Sequence, residues 1–150
     1  MTTVKPFSAN PRNRRWARRF CMQALYQWEI THADMSTIEA QFLQDENLDR
    51  VDLAYFKELL SGVVEQLDLI QSYIKRYVDR QVSEIDPIEL SILRLSIYEL
   101  LKRPDVPYKV VVNEALELAK AFGATDGYKF VNGILDKVAR EVRRDEISQK

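Results

Sequence analysis

From Pro87 to about Lys102 the chain is apolar on nearly every side: Ile88, Leu90, Ile92, Leu93, Leu95, Ile97, Leu100 and Leu101 leave no polar face of the width a surface helix shows. A helix that is apolar all round belongs at the centre of a bundle, covered by other helices. Its start is written into the sequence. Asp86 is an N-cap residue, Pro87 takes the first helical position, and Glu89 falls three residues after the cap, as a capping box requires. Arg103, Pro104 and Asp105 end it.

The remaining segments supply the cover. Only four glycines and five prolines interrupt the chain, and no stretch alternates cleanly with period two, so an all-α fold is expected. The spacing predicts a first helix from Arg12 to about Thr31, with Trp16, Phe20, Ala24 and Trp28 recurring every four residues beside Ala17 and Cys21. A second runs from about Ser36 to Glu46, and a third begins near Asp49 and carries Leu53, Phe56, Leu59, Leu60, Val63 and Leu67. A break near Asp68 precedes a fourth helix to about Val78. Past the central helix, Pro107 opens one that ends at Gly123, a residue suited to a C-terminal cap, and Thr125 or Asp126 caps a last helix with Val131, Ile134, Leu135, Val138 and Val142 inward. Gly133, inside that helix, is read as a point where another helix approaches closely. The expectation is a single helical domain over 12–150, about seven helices in two packed subdomains (about 12–80 and 84–146). Their boundary falls between Asp79 and Asp86, and a flexible arm occupies residues 1–11.

Charge is distributed unevenly. Residues 1–28 contain Lys5, Arg12, Arg14, Arg15, Arg18 and Arg19 and no acid, whereas the remainder carries seven more acidic than basic residues. A single cysteine and a single histidine exclude a disulfide framework and a Cys/His metal cluster within one chain, and point to a reducing compartment. No apolar run approaches the ~20 residues of a membrane span, and the N-terminal segment lacks the apolar core of a secretion signal. A cytoplasmic protein without membrane attachment is expected. No glycine-rich phosphate loop is present, and Glu114 with Glu117 reads as the solvated face of an amphipathic helix rather than a catalytic pair. Cys21 reads as core, and His32 as the residue following a helix end. These readings argue against an enzyme, a cofactor or a small-molecule substrate.

The arginine-rich helix carries the functional signal. Turned at about 100° per residue, it gathers Trp16, Phe20, Ala24 and Cys21 on one arc and lines up Arg15, Arg19, Met22 and Tyr26 on the other. Arginines neutralise phosphates and an adjacent ring stacks an unpaired base, a combination that favours single-stranded nucleic acid. The alternative is that the arginines pair with an acidic neighbouring helix and Tyr26 is a half-buried edge residue. In the last helix Phe130 lies at the edge of the apolar arc, where padding and a stacking platform are equally compatible with its position.

Several strings together resemble the NusB family of bacterial transcription antitermination factors: Gln23-Ala24-Leu25-Tyr26, Ile92-Leu93-Arg94-Leu95 with Tyr98-Glu99-Leu100, Val106-Pro107-Tyr108-Lys109-Val110, Asn113-Glu114-Ala115, Glu117-Leu118-Ala119-Lys120, and Lys129-Phe130-Val131-Asn132-Gly133-Ile134-Leu135-Asp136. They cover nearly the whole chain, in order. The resemblance implies a helical, non-enzymatic protein. It would pair with NusE, a small-subunit ribosomal protein, bind the single-stranded boxA element of ribosomal RNA leaders, and join NusA, NusG and RNA polymerase. It further implies RNA contacts at Arg14, Arg15, Arg18 and Tyr26 and at Asp126, Lys129 and Phe130. Asp126 would serve a base edge or cap its helix. Lys5 and Trp16 have no match in this pattern, and for the partner surface Glu89 is the candidate, with its capping role as the competing assignment. A helical adaptor that contacts only proteins is the alternative. An RNA methyltransferase carrying a domain of this kind is disfavoured, because the sequence contains no glycine-rich cofactor-binding unit.

Overall fold

The computed structural model describes residues 10–45 and 48–149, which form eight α-helices and two 3-10 turns and no strand. The helices are α1 (Pro11–Thr31), α2 (Met35–Phe42), α3 (Leu53–Glu65), α4 (Leu67–Tyr77), α5 (Pro87–Lys102), α6 (Tyr108–Phe122), α7 (Gly127–Val142) and α8 (Arg144–Ser148). The 3-10 turns are Leu48–Arg50 and Val82–Glu84.

As its composition demands, α5 is the hub. It packs against α1, α3, α4, α6 and α7, and every residue from Glu89 to Leu100 is buried. Each fully buried Leu or Ile contributes about 1.5–3 kcal/mol relative to exposure, so α5 is the largest single source of cohesion. Its ends are secured by different means. The Asp86 carboxylate accepts the Ile88 and Glu89 N–H groups at 2.8 and 3.2 Å. At the other end the buried Arg143 guanidinium donates to the carbonyls of Glu99, Leu100 and Arg103 at 3.2, 2.9 and 2.9 Å, placing a cation on the negative end of the helix dipole. That anchorage coincides with the break between α7 and α8, a helix not anticipated from the sequence.

Other differences from expectation have local causes. Asn10 caps α1, accepting the Arg12 N–H at 2.8 Å, so Pro11 belongs to the helix and not to the arm; residues 1–9, Lys5 among them, lie outside the described residues. The second helix ends at Phe42, and Glu46 lies outside the described residues. The 3-10 turn Leu48–Arg50 precedes α3, whose cap is Asp52, accepting the Tyr55 N–H at 3.1 Å. The break before α4 comes at Gln66. Met22, placed by the helical wheel on the basic side, is fully buried, because α1 is covered by both α3 and α5 and its apolar arc is wider than one neighbour requires. Gly133 is exposed, and a Cβ added there would meet nothing within 4 Å, so no helix approaches it. Cys21 is fully buried, burial pushing its thiol well up, and His32 closes α1 in the left-handed region at φ 58°.

Candidate nucleic-acid interface

The five arginines of α1 do not form one face. Arg18 turns inward, its side chain only 4% exposed, and donates from Nε and Nη2 to the Glu99 carboxylate of α5 at 2.8–3.0 Å. The Tyr55 hydroxyl of α3 donates to the same carboxylate. Burial works against the Arg18 charge, but attraction to Glu99 and the hydrogen bonds outweigh it and the guanidinium is held above its ordinary value. The Tyr55 phenol is pushed far up by burial and then by the adjoining carboxylate. Arg14 follows Arg18 inward: its guanidinium lies 4.1 Å from the Tyr55 ring centroid and its Nε 3.7 Å from Asp52. Arg18 is therefore a core ion pair rather than a surface phosphate contact, and Arg14 is mostly covered. The physical reason is the pair of carboxylates that α3 and α5 place under this side of α1.

Arg15 and Arg19 point outward. The Arg15 side chain is 63% exposed and shares its charge with Glu114 of α6, at 3.1 Å from both Nε and Nη2. Glu114 is thus a covered ion-pair partner, not part of a solvated face as its spacing suggested. Arg19 lies between two rings, 4.9 Å from the Trp16 centroid and 4.7 Å from that of Phe122 at the end of α6. This gives Trp16 a role that the sequence did not reveal, as a shelf for a guanidinium. Tyr26 is 37% exposed, two turns along the same side of α1.

Phe122 leads through the α6–α7 turn to the second group. Asp126 sits at the N-cap position of α7 in the left-handed region, φ 67°, a conformation Asp tolerates, and its side chain makes no cap bond. It meets Lys129 at 3.5 Å instead, both side chains being about two-thirds exposed. Phe130 is half-buried, with the Arg80 guanidinium 4.7 Å from its ring centroid. Arg80, in the polar stretch read as a boundary, carried no periodic signal that could have nominated it.

Glu89 is not an exposed partner-binding residue. It is 7% exposed, and its carboxylate lies against the backbone of the α6–α7 turn. Its carboxylate fills the space beside Gly127, where any Cβ would overlap it. The capping box is accordingly half-formed: Asp86 caps, while Glu89 turns away to hold the α6–α7 turn. Burial, and then repulsion from Asp86, raises the Glu89 carboxyl.

Among the described residues no group of His, Cys, Asp or Glu could hold a metal ion, and no helix is long and apolar enough to cross a membrane.

The NusB family pattern matches residues 15–140. A transcription antitermination protein NusB from Alcanivorax borkumensis is 50% identical over 142 residues, covering 95% of each chain. Among solved structures, T. maritima NusB superposes with a TM-score of 0.76 at 32% identity, covering 94% of both chains. A structure of antitermination factors NusB and NusE in complex with double-stranded RNA contains a chain matching at TM-score 0.74 and 22% identity, over 87% of this chain and 98% of that one, a likeness of fold.

Proposed function

The chain belongs to the NusB family, and from that premise we propose that it is a non-enzymatic, cytoplasmic RNA-binding subunit of an antitermination complex. With NusE it binds the boxA element of nascent ribosomal RNA, and through that complex it joins NusA, NusG and RNA polymerase. The observation that carries the RNA reading is that cations and aromatic rings occur together at the surface in two places: Arg15, Tyr26 and Arg19 between Trp16 and Phe122 on one side of α1, and Lys129 and Phe130 with Arg80 at the start of α7. Cations neutralise phosphates while rings stack bases. The NusB-fold chain solved with NusE and RNA supports the same assembly. Asp126, exposed and with Lys129 as its one side-chain partner among the described residues, serves as a base-edge acceptor or restrains Lys129.

The test is binding of a boxA-like RNA and a scrambled control, with and without NusE, to the wild type, to Arg12→Ala/Arg15→Ala and to Tyr26→Ala. These positions are exposed, so the fold should persist by circular dichroism. A stacked base contributes about 1–3 kcal/mol, so Tyr26→Ala should weaken boxA binding about 5- to 150-fold. Equal binding by every variant would mean that this face meets a protein, and the adaptor reading would replace this one.

A further inference from the structure

Beyond Phe130, α4 and the C-terminal half of α7 flank a shallow, open groove of about 480 Å³ lined by Arg76, Tyr77, Lys137, Arg140, Glu141 and Arg144. We propose that this groove is a second phosphate track, which carries a single RNA strand onward from the Phe130 platform; the proposal rests on the RNA-binding reading above.

Four of the six lining residues are cations. Two nearby acids are already engaged. Glu141 pairs with Arg76 and accepts the Tyr77 hydroxyl at 2.6 Å, and Asp136 holds Arg140 at 3.0 Å. Lys137 and Arg144 make no ion pair among the described residues, Arg144 acting on Glu141 only at longer range, and they supply the excess charge. The cations follow one another along α7 into α8 rather than converging on a point, which suits a chain of phosphates better than one compact anion. Continuity with the first site comes from Arg80, which follows α4 in sequence and lies over Phe130, so both sites belong to the same α4–α7 seam. From Phe130 to Arg140 is ten helical residues, a run of about 15 Å.

Gly133 gives this seam its shape. It lies between Phe130 and Lys137 on the exposed side of α7, with open space where a side chain would stand. A mid-helix glycine weakens the helix, and here no neighbour packs into the space it leaves. Bare backbone between a ring and a row of cations allows a polymer to lie close to the helix.

The experiment compares a boxA-like core RNA with the same RNA extended by single-stranded tracts, in the presence of NusE and over a salt series. Wild type is set against Lys137→Ala/Arg144→Ala, which removes the two cations without an ion pair and leaves every carboxylate its partner. The extension should tighten wild-type binding and steepen its salt dependence. The variant should bind the core as wild type does but lose the gain, its log–log salt slope on the extended RNA falling by about 1.4 for two phosphate contacts on a single strand. If wild type binds the core and gains nothing from the extension, or the variant keeps the gain, the track is refuted and its cations face an acidic protein surface. If neither RNA binds even with NusE, the RNA-binding reading fails and the track with it.

Discussion

Removing the Arg18 guanidinium should destabilise the fold rather than simply remove an RNA contact. Glu99 is fully buried and its carboxylate has two sources of hydrogen bonds, the Arg18 guanidinium and the Tyr55 hydroxyl. In Arg18→Met the carboxylate keeps one neutral donor and loses its counter-charge. Breaking a buried pair in this way costs about 3–5 kcal/mol, a large share of the roughly 5–15 kcal/mol that holds a domain together. At about 2–4 °C per kcal/mol for this size, the midpoint should fall by about 6–20 °C. The reciprocal variant Glu99→Leu should also be costly, because it leaves the buried guanidinium only its longer contact to Glu114 at 4.0 Å. The double variant should recover part of the loss, since an apolar pair of similar volume fills the same space without desolvating a charge, while the buried Tyr55 hydroxyl is left without its acceptor. Urea unfolding of the four proteins completes the cycle. Additive losses, or single losses below about 1 kcal/mol, would refute the buried-pair account. A variant of wild-type stability that binds RNA poorly would return Arg18 to the surface role its position in the arginine run suggests.

Two further outcomes test other parts of the structure. Gly133→Ala should raise stability by up to about 1 kcal/mol, read by thermal unfolding, because alanine is the better helix former and its methyl meets open space; a loss would reveal a neighbour. The Tyr98 hydroxyl donates to Glu58 at 3.1 Å, and burial, with that carboxylate beside it, pushes the phenol from its ordinary 10 up to about 12. The stability it contributes is intact below pH 10 and lost as pH rises toward 12, so alkaline unfolding should be less steep in Tyr98→Phe; identical profiles would contradict the raised value.

The sequence by itself determined the all-helical class, seven of the eight helices and the central place of α5. Asp86 with Pro87, the four-residue recurrence in α1 and the all-round apolar character of α5 are signals exchanged between near neighbours, and capping and periodicity act at that range. The outward positions of Arg15 and Tyr26 were legible for the same reason. Which arginines turn inward was not. Arg18 meets a carboxylate 81 positions away and Arg15 one 99 positions away, and nothing local distinguishes the two. Met22 looked like a surface residue until two helices closed over α1. Glu89 looked like half of a capping box until Gly127 offered its carboxylate a deeper place. Gly133 shows the converse, a glycine whose apparent reason, close packing, tertiary structure removed. Tertiary structure decided these cases because burying a charge is favourable only where a counter-charge waits, and that depends on which distant segments meet.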